Sequence, residues 1–311
     1  MSALVFADRP GNELLPLTKS TPVALLPVGG KTLIEHTLED LAAADVRSIT
    51  LVLGEQSAPM VEQKIGHGEW PGMNIDYVRA RSGESPTHVA RRFANQLPNQ
   101  FLAMRGDVYR SPSIASFRRA AMNILATQVI AQIDGRCAQL CLCRQRDLQL
   151  DALSWAPQNP TRGANWRTVE LDAAEFSQLH DITEFYLANI DGLDERVAAA
   201  NVANGLPNRH FCSEPNSCFR PEVIRNRPVL IGSHCEIKPD VQLHGPIVMG
   251  DDVYVDEGVF LYACVVMPGT YIPAGTHLRN AIVTSEMAVG IDGNVICRFA
   301  DRLAVQNAIA G

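Results

Sequence analysis

The chain has no apolar run approaching the ~20 residues needed to cross a bilayer, and no excess of positive charge. Its 311 residues carry 27 Lys+Arg against 34 Asp+Glu, a formal net charge of −7. That acidic balance argues against a nucleic-acid scaffold, whose groove needs a basic field to neutralise phosphates. The opening stretch Met1-Ser2-Ala3-Leu4-Val5-Phe6-Ala7-Asp8 has no basic region and meets a charge at its eighth residue. It does not read as a signal peptide, so a soluble cytoplasmic protein is expected. No Cys-x-x-Cys pair occurs. The eight cysteines (Cys137, Cys141, Cys143, Cys212, Cys218, Cys235, Cys264 and Cys297) are therefore expected to be buried structural thiols. A reducing compartment disfavours disulfides, and zinc sites usually show such a pair. Cys212 and Cys218 near His210 are the zinc alternative.

Apolar material is sufficient for a sizeable core, at 46% hydrophobic and 20% charged, and the length predicts two domains. Two textures divide the sequence near residue 205. Up to there, Leu4–Ala7, Ser48–Gly54, Ile75–Arg79 and Phe101–Met104 read as buried strands of the length a parallel sheet uses. Helical spacing lies between them, in Lys31–Val46 and Thr87–Leu97, and Asp181–Val202 reads as one long closing helix. Strands alternating with helices imply βαβ units and an open parallel sheet. Cys141 and Cys143 fall on one face of a further strand.

After Gly205-Leu206-Pro207-Asn208, a plausible linker, the period changes. Every sixth residue from 231 is apolar: Ile231, Ile237, Leu243, Met249, Val255 and Leu261. Four residues after each come Cys235, Val241, Ile247, Val253, Val259 and Val265. Chance would give all twelve about once in ten thousand tries at this composition. One residue drops out near Val266, and the pattern resumes at Ile272 and Leu278. A six-residue period with Gly, Asp and Pro turns between is the signature of a parallel β-helix, and 231–283 supplies about three coils. Arg298–Val305 reads as a terminal helix that caps the open end or docks on a second subunit. The expected architecture is a Rossmann-like α/β domain over 1–205, with a mostly parallel sheet, and a short left-handed β-helix over 206–311.

The first loop, from Ala7 to His36, resembles the opening of the sugar-1-phosphate nucleotidyltransferases, particularly the mannose-1-phosphate guanylyltransferase-like group. That family writes A-A-G-x-G-T-R-L-x-P-L-T, then P-K-x-L-L-P-V, then G-K-P-x-I-E-H. Gly11, Leu14, Pro16-Leu17-Thr18, Pro22, Leu25-Leu26-Pro27-Val28, Lys31, Ile34, Glu35 and His36 match with spacing kept. Many members also carry a C-terminal left-handed β-helix. The resemblance implies a loop that wraps a nucleoside triphosphate, with Arg9, Gly11, Asn12 and Lys19 as the nucleotide-binding residues. Phe101–Asp107 resembles the strand whose terminal Asp helps hold Mg²⁺, and Leu179–Asn189 the segment that gives a second ligand. The implied metal ligands are Asp107 and Asp181. A reading without metal stays open, in which Asp107 is a strand-end turn residue and Asp181 a helix N-cap with Glu184 three residues on.

The pattern departs from the family where phosphate chemistry is done. The aligned Arg and Lys positions hold Glu13 and Val23, Arg9 replaces the first loop glycine, and Asn12 replaces Thr. Attack on an α-phosphorus builds charge on oxygens already negative, and fixed cations lower that barrier. Losing one preorganised donor costs roughly 3–4 kcal/mol of transition-state stabilisation. No G-T-A motif stands near residues 85–90, and only 73 residues separate Asp107 from Asp181, with no E-x-K-P-like element between Arg110 and Trp155. The expectation is a family member that has lost catalysis and binds or regulates in NDP-sugar or surface-polysaccharide synthesis. Its partners would be a nucleotide or NDP-sugar, a second copy of itself, or an active paralogous enzyme, with neither nucleic acid nor membrane. The alternative is an active enzyme making an NDP-sugar and pyrophosphate, with Arg9 or Lys19 as the replacement clamp. Glu13→Arg with Val23→Lys is expected to tighten triphosphate binding.

Overall fold

The computed structural model describes residues 1–66, 69–144, 148–155, 165–171, 175–204, 211–226 and 228–299. The chain forms two units. The first comprises Met1–Asn12, Thr18–Leu26 and Thr32–Gln178, and the second Glu13–Leu17, Pro27–Lys31 and Leu179–Gly311.

In the first unit the apolar runs become β1 (Ser2–Ala7), β2 (Ser48–Gly54), β4 (Met73–Ala80) and β5 (Gln100–Arg105), with a short β3 (Glu69–Trp70). Further along are β6 (Gln128–Ile133), β7 (Arg136–Arg144) and β8 (Trp166–Glu170). They pair in the order β8-β6-β7-β5-β1-β2-β4-β3. β1 lies parallel to both β2 and β5, β4 runs parallel to β2, and β7 runs antiparallel to β5 and β6. The result is a Rossmann-like, mostly parallel sheet. Its central strands are apolar throughout because both faces are covered, which is why they read as unbroken runs.

Helix α1 (Leu33–Ala43) starts at a capping box: Thr32 accepts from the Glu35 amide and Glu35 accepts from the Thr32 amide. Burial pushes the Glu35 carboxyl up, but the Thr32 hydrogen bonds and the nearby Lys64 ammonium outweigh it and hold it below its usual value. The expected helix at 87–97 is α3 (Pro86–Arg92), shorter by a turn. Between them lies α2 (Ala58–Ile65), and α4 (Ile114–Met122) follows β5. Cys141 and Cys143 lie on one face of β7, both buried, with sulfurs 3.4 Å apart.

The second unit opens on two helices rather than one, α5 (Ile182–Ile190) and α6 (Leu193–Ala203). The apolar spacing continues across the break, so the break is set by Asp191-Gly192, where Gly192 takes φ 65°. Arg196 then donates Nη2 to the carbonyls of Ala188, Asn189 and Asp191, capping the end of α5. Leu193 and Val197 pack with Leu230 and Val248, so these helices go with the second unit and the compact units divide at Gln178/Leu179.

The hexads form two parallel sheets. One runs through β9 (Phe211–Ser213), β10 (Val229–Ile231), β12 (Gln242–Met249), β14 (Phe260–Val266) and β16 (His277–Val283), and the other through β11 (Glu236–Ile237), β13 (Tyr254–Val255) and β15 (Tyr271–Ile272). Paired residues are offset by 18, as in Val229↔Ile247 and Glu236↔Tyr254, and then by 17, as in Tyr254↔Tyr271 and Phe260↔His277. Ile231, Ile237, Leu243, Met249, Val255 and Leu261 are all buried in one cluster.

The lost residue falls earlier than the sequence suggested. Ile247 pairs with Cys264, not Val265, so the step shortens just before Cys264, beside Ala263 at φ 50°. Cys264 therefore joins the inner cluster, while Val265 lies in the Leu230–Val248–Ile282 row on the other face. At the C-terminal end, only the start of the helix expected at 298–305 falls on described residues. An antiparallel pair, β17 (Met287–Gly290) and β18 (Val295–Arg298), takes its beginning, and residues 300–305 lie outside the described residues. His210, of the zinc alternative, also lies outside them; Cys212 is buried and Cys218 exposed.

Burial pushes the Cys137 and Cys264 thiols up to about 11. The folded protein then holds protons that the unfolded chain has released, so stability is expected to fall as pH rises from about 9 to about 11, by a few kcal/mol. Urea midpoints at about pH 8 and 10.5 measure the loss, and a Cys137→Ala/Cys264→Ala variant should lessen it, the raised Cys141 and Cys235 thiols keeping the rest. An equal slope in that variant would show that other groups carry it.

Candidate active site

In an open parallel sheet, ligands bind beyond the carboxyl ends of the strands where strand order reverses. Here that point lies at the ends of β1 and β5, since β1 is flanked by β2 on one side and β5 on the other. β1 delivers Asp8 and Arg9, and β5 delivers Arg105, Gly106 and Asp107. The Gly106 amide donates to the Phe6 carbonyl at 2.8 Å, which holds the two strand ends in register. Gly106 is required by space, because a Cβ there would stand 2.8 Å from both Ile34 Cδ1 and Val5 Cγ1.

The charged groups at this point bind one another. Arg105 donates Nε to Asp107 Oδ1 at 2.7 Å and Nη2 to Asp107 Oδ2 at 2.6 Å, a bidentate pair. The same Nη2 reaches Asp8 Oδ1 at 2.9 Å, and Nη1 donates to the Leu153 carbonyl at 3.2 Å. Asp107 Oδ2 also accepts the Arg9 amide at 3.1 Å. Arg105 is 2% exposed and Asp107 0%. Burial would push Arg105 down, but Asp107 and Asp8 outweigh it and hold the guanidinium charged. At Asp8 burial wins over Arg105, and its carboxyl is raised.

Arg9, which the resemblance implied as a phosphate ligand, is turned inward and 4% exposed. Its Nη1 donates to the Gln178 carbonyl at 2.7 Å and the Asp107 carbonyl at 3.3 Å. Its guanidinium lies 3.4 Å from the centroid of the Trp155 ring, a close cation–π stack. This side chain fills space at the strand ends and is not poised on a surface loop.

Elsewhere the loop packs tightly around Gly11. Gly11 takes φ 77°, and a Cβ there would sit 2.4 Å from Val23 Cγ2. Val23 is 1% exposed and packs in the interior. A lysine at 23 would start from that buried position, at a cost of several kcal/mol if its ammonium stayed inside. The Glu13→Arg/Val23→Lys change is therefore no simple rescue of triphosphate binding. Asn12 and Lys19 are exposed, and Glu13 belongs to the second unit.

The family's Mg²⁺ does not fit Asp107 as it stands. A magnesium ion keeps several waters and needs carboxylate oxygens open to it, whereas both oxygens of the buried Asp107 are taken by Arg105. Asp181, in the second unit, is the N-cap of α5, its carboxylate accepting the Glu184 amide at 2.8 Å. Glu184 in turn accepts the His180 amide at 2.9 Å. Among the described residues no group of three or more His, Cys, Asp or Glu is placed to hold a metal. Sequence reading missed Asp8, Arg105 and Trp155. The available signal was a charge closing each of two apolar strands, in Phe6-Ala7-Asp8-Arg9 and Met104-Arg105-Gly106-Asp107.

Residues 3–133 match the Nucleotidyl transferase family model. The mannose-1-phosphate guanyltransferase of Yarrowia lipolytica is 29% identical over 138 residues, 42% of this chain and 38% of that protein. The mannose-1-phosphate guanylyltransferase of Mycobacterium tuberculosis is 29% identical over 144 residues, 44% of this chain and 39% of that one. The low-salt glycan biosynthesis nucleotidyltransferase Agl11 of Haloferax volcanii is 30% identical over 78 residues, 25% of this chain and 22% of that protein. The matches thus span well under half the length of these relatives. A crystal structure from Bacillus anthracis, described as a glucose-1-phosphate thymidylyltransferase in complex with sucrose, shares the fold. Its TM-score is 0.51 at 15% identity, covering 68% of this chain and 97% of that one. Through residues 3–133, which carry β1, β5 and the carboxylates at their ends, this chain is similar to the sugar-1-phosphate nucleotidyltransferases.

Proposed function

We propose that this chain is a sugar-nucleotidyltransferase-like protein that does not transfer a nucleotidyl group, and that it binds or regulates in NDP-sugar or surface-polysaccharide synthesis. The observation that carries the reading is the inward Arg9, stacked on Trp155 and hydrogen-bonded to Gln178 and Asp107 carbonyls. Together with Glu13 and Val23 at the family's cation positions, it leaves the loop without the fixed positive charge that phosphoryl chemistry uses. Binding survives such a loss better than turnover does, because the transition state carries the charge that the cations answer. The C-terminal hexads are read as a left-handed β-helix. Two parallel sheets sharing an 18- and then 17-residue step support that. Flat faces of this kind suit self-association or docking on an active paralogous enzyme.

A thermal-shift panel of nucleoside triphosphates, NDP-sugars and sugar phosphates, with and without Mg²⁺, tests the reading. A ligand at 100 times its Kd adds about 2.7 kcal/mol to stability. The expected result is stabilisation by a nucleotide or NDP-sugar that is the same in both conditions. Stabilisation by triphosphate that appears only with Mg²⁺ would contradict it.

A further inference from the structure

We infer that Arg105 is a tethered cation standing where a divalent ion would bridge Asp8 and Asp107, so that the carboxylates at the strand ends are closed to metal while the guanidinium is present. The inference draws its functional consequence from the non-transferring reading, but its test reads metal binding and not turnover, so the two can fail separately.

The two carboxylates follow the ends of adjacent parallel strands, which brings them to one point although they are 99 positions apart. Arg105 meets both, with three N–O distances of 2.6–2.9 Å. The charge balance is also that of an occupied site. Asp8 and Asp107 bring two negative charges, and Arg105 and the adjacent Arg9 return two positive ones, as one divalent ion would. A guanidinium differs from a metal in needing no retained water, which matches the burial of Asp107. Displacing it would strand a charged guanidinium at 2% exposure, and removing one partner of a buried pair is strongly unfavourable. The pair is therefore closed to metal in the intact protein. With the guanidinium gone, the same two carboxylates become a hard-oxygen site for Mg²⁺ or Mn²⁺.

The test is a Mn²⁺ titration of the full chain, read by the electron paramagnetic resonance signal of the free ion. Wild type should bind no Mn²⁺ at this site up to about 1 mM, whereas Arg105→Ala should bind one ion at least ~10-fold more tightly than wild type. Asp107→Asn added to Arg105→Ala should abolish it. Arg105→Lys, which keeps the charge, should behave as wild type. If Arg105→Ala folds only when Mn²⁺ is present, that dependence supports the inference equally. A wild-type protein that binds one Mn²⁺ ion, lost in Asp107→Asn, would overturn it without any Arg105 variant. A folded Arg105→Ala protein that binds no more tightly than wild type would overturn it too.

Discussion

Asp107→Ala is expected to lower the unfolding free energy of the protein by about 3–5 kcal/mol, the range seen when one partner of a buried ion pair is removed. The side chain is 0% exposed and takes a bidentate pair from Arg105 plus the Arg9 amide. Its loss leaves the Arg105 guanidinium buried with a single carboxylate bond, to Asp8. Asp8→Ala should cost less, because Asp8 accepts one bond from Arg105 and its carboxylate is already disfavoured there by burial. Urea denaturation followed by far-ultraviolet circular dichroism measures both. A cost below about 1 kcal/mol at position 107 would place this cluster among surface ion pairs in its worth, against its burial.

The second large effect belongs to the C-terminal core. Leu261 is fully buried and stands in register between Leu243 and Leu278 on consecutive parallel strands. Truncation to alanine removes methyl groups from the middle of a stacked row, where neighbours on both sides are fixed by ladder hydrogen bonds and collapse poorly. Leu261→Ala is expected to cost about 2–5 kcal/mol. Tyr262→Ala, next in sequence but exposed, should stay within roughly 1 kcal/mol. The contrast between adjacent positions checks the inward–outward alternation itself. Equal costs at 261 and 262 would mean that the row faces are misassigned.

Much of the architecture was legible because it rests on local repetition. The strands at 2–7, 48–54, 73–80 and 100–105 announce themselves as apolar runs, since a parallel sheet covered on both faces tolerates little else. The hexads did the same with a different period. What stayed hidden was set by single residues or by partners distant in sequence. The break at Asp191-Gly192 lies inside continuous helical spacing, and one glycine in the left-handed region decides it. The shortened step before Cys264 moves the inner position by one residue, and neither Cys264 nor Val265 looks out of place in an apolar pattern.

The site was legible in outline and misread in detail for a related reason. Motif spacing identified the loop and the strand end at Asp107, and the comparisons agree on the family. The direction a side chain takes is not written in spacing. Arg9 could as well have faced solvent. It turned inward because Asp107 and Gln178 offer carbonyls and Trp155 offers a ring face. Arg105 was passed over because its two carboxylates converge on it only once β1 and β5 pair. Val23, read from the motif as a lost cation, is also part of the packing around Gly11, which spacing could not show.

Pyrophosphate release tests the central claim most directly. The full chain would be assayed with each common nucleoside triphosphate, paired with hexose 1-phosphates in the presence of Mg²⁺. An inward Arg9, Glu13 and Val23 at the cation positions, and Asp107 held by Arg105 predict no release above the protein-free background. Turnover in the ordinary enzyme range of roughly 1–10³ s⁻¹ would contradict that account.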